Sequence, residues 1–290
     1  MSHAYSFSLI AVFIYLSIRW HKKQALKYII AIGLISGLVV LIRPVNLLIF
    51  IFPLLYGVEN LKTLKTNLLL FIKNWKQLII LATVAFLVIL PQLIYWKTFT
   101  DYWVFNSYID EHFYFGNSHV LDFLFSYRKG WLLYTPIMIL SCVGLIITYA
   151  KNKKLFYPLI FLAIINIYVL SCWWCWWFGG SFGMRPMIDS YGFFAISLGY
   201  FIQWVWDKKV ILKAFTGLAI ICLLCLNIFQ TQQRRNLVIH WDSMSKKSYW
   251  NYFTTLKFKA ENDWENQEKL LLHPDYQKAI KGEDEYDFSP

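Results

Sequence analysis

Three arginines, two aspartates and a run of tryptophans carry most of the chemistry open to this sequence. Arg43, Arg128 and Arg185 each stand at the edge of an apolar run. A guanidinium fork matches two phosphate oxygens at once, and an arginine at a membrane rim also snorkels its charge into water at little cost. These side chains therefore either bind a phosphate or mark the ends of spans. Asp189 and Asp110 are carboxylates that can accept a proton from an attacking hydroxyl. Trp176 and Trp177 belong to the stretch 172–189, CWWCWWFGGSFGMRPMID, where four tryptophans lead through a glycine-rich turn to Arg185 and Asp189. Indoles at this density suit a membrane–water interface or stacking on a sugar ring, and the glycines let the backbone approach a ligand closely. Asp110, Glu111 and His112 are metal-ligating types, but consecutive side chains rarely point the same way, which argues against a metal there. No nucleophile triad, nucleotide loop or zinc motif stands out.

The elements that must position these residues are apolar helices. With 58% hydrophobic, 20% aromatic and 16% charged residues among 290, and a mean hydropathy of +0.45, the chain reads as an all-α polytopic membrane protein. In a soluble protein the net charge of +11 would suggest a nucleic-acid partner; here the lysines occupy short loops between apolar runs, where they act as topology signals. The runs are 5–18, 28–42, 45–58, 78–95, 131–150, 155–171, 191–206 and 210–229, which gives eight candidate spans. Several are shorter than the ~20 residues of a usual spanning helix, and Arg43-Pro44 breaks the second from the third.

Charge orients them. Arg19, Lys22, Lys23 and Lys27 follow the first run, Lys62, Lys65, Lys73 and Lys76 the third, Lys151, Lys153 and Lys154 the fifth, and Lys208, Lys209 and Lys213 the seventh. If every run crosses, these lie on one side, cytoplasmic by the positive-inside rule. The alternate connections hold Arg43, Lys97, Arg128, Lys129 and Arg185 together with Asp101, Asp110, Glu111, Asp122 and Asp189. The aromatic connection 96–130 is expected to fold back on the membrane surface with a short helix, and 59–76 to form an interfacial amphipathic helix. Residues 1–230 then form a transmembrane domain and 231–290 a polar extracytoplasmic tail. The pairs Cys172/Cys175 and Cys222/Cys225 read as buried thiols.

Several stretches together resemble bacterial membrane glycosyltransferases of the GT-C superfamily, the group that includes protein mannosyltransferase-like and aminoarabinose-transferase-like enzymes. They are the tryptophan run into Gly179, Gly180, Ser181, Phe182, Gly183, Arg185 and Asp189, and the segments 37–46 (GLVVLIRPVN), 121–136 (LDFLFSYRKGWLLYTP) and 239–253 (IHWDSMSKKSYWNYF). The resemblance implies a multi-span protein of the bacterial plasma membrane. Such a protein takes a sugar from a polyprenyl-phosphate carrier on the outer face and passes it to a glycan, lipid or protein hydroxyl, with or without a divalent metal. It implies donor-phosphate binding by Arg43, Arg128 and Arg185, sugar stacking by Trp176 and Trp177, and proton acceptance by a carboxylate. In that superfamily the carboxylate lies in the first outer loop; the opening residues here look like an internal stretch of the family, so the chain is expected to lack the first several spans and that base, leaving Asp189 or Asp110 as substitutes. An O-antigen polymerase or ligase, or a lipid or solute transporter, is the alternative; Gln92 and Asn166 are nearly the only polar groups deep in the spans.

Overall fold

In a computed structural model, residues 2–105, 108–109, 111–260 and 262–283 are described, and the chain is 71% helical with no strand among them. Three helices are long and apolar enough to cross a bilayer: α5 (Trp75–Thr100), α9 (Lys153–Ser171) and α11 (Val210–Arg235). At 1.5 Å per residue, α5 and α11 are each about 39 Å long.

The sequence predicts eight spans, and the difference has local causes. The first, second and seventh runs form α1 (His3–Lys22), α2 (Leu26–Ile42) and α10 (Tyr191–Trp206). The third run is a 3₁₀ helix over Pro44–Phe50 followed by α3 (Ile51–Leu55), because Pro44 starts a tighter coil at the end of α2. The fifth run is split into α7 (Trp131–Tyr134) and α8 (Met138–Lys151), with Thr135 and Pro136 between them. The amphipathic segment is α4 (Leu61–Lys73), begun by a reciprocal cap between Asn60 and Thr63. The 96–130 connection contains the short helix α6 (Val120–Phe125), and the tail holds α12 (Lys246–Asn251), α13 (Asn262–Glu268) and α14 (Tyr276–Ile280). All five cysteines are free thiols; Cys172 and Cys175 are buried as expected, whereas Cys222 and Cys225 are exposed on α11.

The chain divides into two compact units. The first comprises Met1–Ile109, Ser141–Asn166 and Ile188–Ile202; the second comprises Asp110–Leu140, Ile167–Met187 and Gln203–Pro290.

In the first unit, α2 lies on α5 through two glycines one helical turn apart. A Cβ on Gly37 would stand 2.6 Å from Val88 Cβ, and one on Gly33 would stand 2.9 Å from the Leu81 carbonyl oxygen. Small residues four apart let two apolar helices approach backbone to backbone. The unit has two distinguishable ends. At one, Trp20 donates to Gln77, His21 donates to the Pro53 carbonyl, the Gly57 amide donates to the Lys154 carbonyl and Asn152 donates to the Tyr200 hydroxyl. The lysine-bearing turns after α1, around α4 and between α8 and α9 therefore gather together. The opposite end brings together His3, Arg43, Asn46 and Asp189. The segment Pro44–Leu55, though not one regular helix, thus runs from the end marked by His3 to the end marked by His21.

In the second unit, Tyr134 is the centre of an aromatic core with Tyr249, Ile239, Met244 and Leu271. Gly183 has φ +52° and lies against Tyr134, where a Cβ would come within 2.9 Å of the tyrosine's own.

Replacing Gly37 with Val is expected to destabilise the protein by about 1–3 kcal/mol through overpacking against α5. The check is the thermal melting of the detergent-solubilised chain, with Gly116→Ala as a control at an open turn, where a Cβ meets no atom within 4 Å.

Candidate functional site

The polar residues collect into two clusters, one in each unit. In the first, the Asp189 carboxylate is almost completely buried. His3 Nδ1 lies 2.8 Å from its Oδ1, and Asn46 Nδ2 donates to its Oδ2 at 3.0 Å. Arg43 Nη1 stands 3.6 Å from Oδ2 and 3.0 Å from His3 Nδ1. Asp189 is positioned by the 3₁₀ helix Arg185–Ser190 just before α10, and its neighbour Ser190 accepts a hydrogen bond from Asn166 at 2.7 Å. A buried carboxylate is expensive unless donors surround it; here one histidine, one amide and one guanidinium do so. Arg43 and Asp189, both singled out in the sequence, are thus brought together as an ion pair. Asp110 lies outside the described residues.

The second unit holds Arg128, Arg185, Trp176 and Trp177. Arg128 is buried, donates to the Leu272 carbonyl at 2.8 Å and lies 5.0 Å over the Trp177 ring. Arg185 is exposed and donates to the Phe178 carbonyl at 3.2 Å. Trp176 and Trp177 are fully buried and pack edge to face, Trp176 also against His119 and Trp177 against Tyr276. Trp241 is 44% exposed and backs the turn at Gly180; it is the indole of this group with a free surface.

Between the arginines sits a residue whose importance the sequence hides. Lys129 is 1% exposed, and its Nζ donates to the carbonyls of Ser181 and Trp241. Its pKa is pushed down to about 7, first by burial and then by the charges of Arg234, Arg185 and Arg128, with Asp242 opposing. Arg234, at the end of α11, is half-buried, and its Nε is enclosed without a hydrogen-bond partner. Among the described residues, Arg234, Arg185 and Arg128 thus act on Lys129 together, with Asp242 as the opposing carboxylate. Two signals in the chain pointed here: Arg128-Lys129-Gly130 forms a basic pair in a connection otherwise poor in lysine, and Asp242 lies in the 239–253 segment.

Asp242 is buried and doubly held. Ser243 Oγ donates to its Oδ1 at 2.6 Å and the Tyr276 hydroxyl donates to its Oδ2. Burial and that bond both raise the Tyr276 pKa. His240 Nδ1 accepts the backbone amides of Asp242 and Ser243 at 3.3 and 3.0 Å, so its proton resides on Nε2; burial lowers its pKa against the pull of Asp242. Ser243, His273 and Glu268 form a chain, with Ser243 Oγ 3.1 Å from His273 Nδ1 and His273 Nε2 2.9 Å from Glu268 Oε1. This resembles a nucleophilic triad, but Ser243 is fully buried and its one proton goes to Asp242. Among the described residues, no three His, Cys, Asp or Glu side chains group closely enough to hold a metal ion.

Among the described residues the fold is all-α, with helices fit to cross a membrane and a basic cluster drawn from several elements about Lys129. No protein family, no characterised protein and no solved structure matches the chain.

Lys129 gives a pH signature. The folded state releases its proton near pH 7 and the unfolded state near the ordinary 10.5, so the unfolded chain binds the extra proton between those values. This group's contribution to stability therefore rises with pH across that window. In Lys129→Met, the rise in melting temperature between pH 7 and 10.5 is expected to flatten.

Proposed function

We propose that the chain is a membrane glycosyltransferase-like protein that binds a polyprenyl-phosphate-linked sugar and passes the sugar to a glycan, lipid or protein hydroxyl on the extracytoplasmic face of a bacterial plasma membrane. The observation that carries this reading is the gathering of Arg128, Arg185 and Arg234 about Lys129, with Asp242 opposing them, beside the partly exposed ring of Trp241. A cluster that brings three guanidinium groups to one lysine suits a phosphate, which guanidinium groups recognise bidentately. The sequence resemblance to the GT-C superfamily supplies the donor class.

The topology in this reading has eight passes, three of them long helices and the rest shorter or broken. Support comes from the first unit, where the lysine-bearing turns share one end while Arg43 and Asp189 lie at the other. With the lysine end cytoplasmic, the other end is extracytoplasmic.

Transfer would proceed by displacement at the anomeric carbon. The acceptor oxygen forms the new bond as its proton passes to a carboxylate, the bond from C1 to the phosphate oxygen breaks, and polyprenyl phosphate leaves with the electron pair. Cations of the cluster stabilise the charge that develops on the leaving phosphate. Asp242 joins Asp189 and Asp110 as a carboxylate to test by replacement with Asn.

The test is donor consumption by the full chain in proteoliposomes. A radiolabelled polyprenyl-phosphate monosaccharide should be consumed, and Arg185→Ala should raise its Kd about tenfold or more, the loss of a charge-assisted hydrogen bond. Consumption of a polyprenyl-diphosphate oligosaccharide in its place would favour the O-antigen polymerase or ligase reading. Failure to bind or consume either donor would overturn both.

A further inference from the structure

We infer that Lys129 is a neutral amine until a ligand binds, and that binding of a phosphate group at the cluster draws one proton onto it. The inference rests on the phosphate-binding reading above and adds to it how the site handles charge. Its basis is a count of hydrogen bonds. Lys129 Nζ has two acceptors, the carbonyls of Ser181 and Trp241, and it lies out of contact with water. A neutral amine has two N–H groups, which those carbonyls satisfy. An ammonium has three, and the third would be buried without an acceptor.

The surroundings point the same way from every side. Arg128 adjoins it in the chain, Arg185 stands on the 3₁₀ helix after the glycine turn, Arg234 ends α11, and the 240–242 segment contributes Asp242 with His240 beside it. Among the described residues, Arg234, Arg185 and Arg128 oppose a charge on Lys129, and Asp242, which already accepts the protons of Ser243 and Tyr276, favours one. Burial first, and those arginine charges after it, disfavour the ammonium form and bring the amine's proton affinity near neutrality. A phosphate oxygen changes both conditions, since it supplies the third acceptor and offsets the repulsion. The step is a simple protonation: the amine nitrogen takes a proton from solvent, and no other bond is made or broken. A ligand can approach the surface at Gly179, where a Cβ would meet no atom within 4 Å and Arg185, which donates to the neighbouring Phe178 carbonyl, is exposed.

The site then prefers an anionic group over a neutral one on the same lipid tail, because only an anion draws the proton in. Lys129 acts as a specificity-determining residue through its ability to gain a charge on demand, which an arginine lacks.

The test is calorimetric titration of the full chain in detergent with a C15 polyprenyl methyl phosphodiester, whose phosphate does not titrate near neutrality. Inorganic phosphate is a second probe, showing whether the lipid tail is needed. Titrations run in two buffers of different ionisation enthalpy, at pH 8 and at pH 6. The expected result is uptake of close to one proton per site at pH 8 and close to none at pH 6. Lys129→Arg should bind the diester with no proton uptake at either pH, and its melting temperature reports that it is folded. Diester binding with equal enthalpies in the two buffers at pH 8 would overturn the inference while leaving the phosphate site standing. Uptake that persists in Lys129→Arg would also overturn it, transferring the proton to His240 or another group. Failure of the wild type to bind either probe would overturn the phosphate site and this inference together.

Discussion

One buried amine holds the second unit's polar site together. Lys129 reaches from the turn before α7 to the carbonyl of Ser181 in the glycine-rich turn and to that of Trp241 in the C-terminal segment. Both acceptors are backbone, so what they fix is the path of the chain. Gly183, with its left-handed φ, brings the turn against Tyr134, and Gly130 brings the helix α7 so close to Ser126 that a Cβ would stand 2.5 Å from that carbonyl. Around the amine, Arg128 and Arg234 are drawn from two further elements, and Asp242 offsets part of their charge. Burying a group of this kind without full compensation costs stability, which is the usual mark of a site built to receive something.

The first unit solves the opposite problem. Its buried group is the carboxylate of Asp189, and it is compensated from three directions by His3, Asn46 and Arg43. The donors arrive from the start of α1, the end of α2 and the 3₁₀ helix that follows it. A cluster this complete ties the ends of several helices to the entry of α10. The short 3₁₀ helix Arg185–Ser190 contributes Arg185 to the second unit and Asp189 to the first.

Much of this was legible in the chain and some was not, for physical reasons. Helix positions follow from apolar runs punctuated by lysines, and all eight runs are helical in whole or part. Arg43-Pro44 announced its break because proline acts locally. The pairing of Asn46 with Asp189 joins residues 143 positions apart, and no local pattern encodes such a contact. Trp176 and Trp177 fit an interfacial or sugar-stacking role in the chain because composition alone does not say which face of a turn is buried; the structure buries both and leaves Trp241 partly exposed. Lys129 resembled an ordinary loop charge, since its role depends on carbonyls 52 and 112 residues further on. The Gly33–Gly37 spacing was readable in principle as a close helix approach, though it named no partner.

Those separations also bear on how the protein is made. At synthesis rates of about 5–20 residues per second, the carbonyl of Trp241 emerges roughly 6–22 s after Lys129. Until then the lysine and its neighbouring arginine have no enclosed place to go, and the aromatic side chains of the 172–182 stretch lack the C-terminal segment that covers them. The second unit thus stays open through most of translation and closes late, with contacts of long sequence separation that are slow to form. During that interval a nascent chain carries exposed tryptophans beside unpaired positive charge, a combination that favours the interfacial layer of a membrane as its temporary shelter.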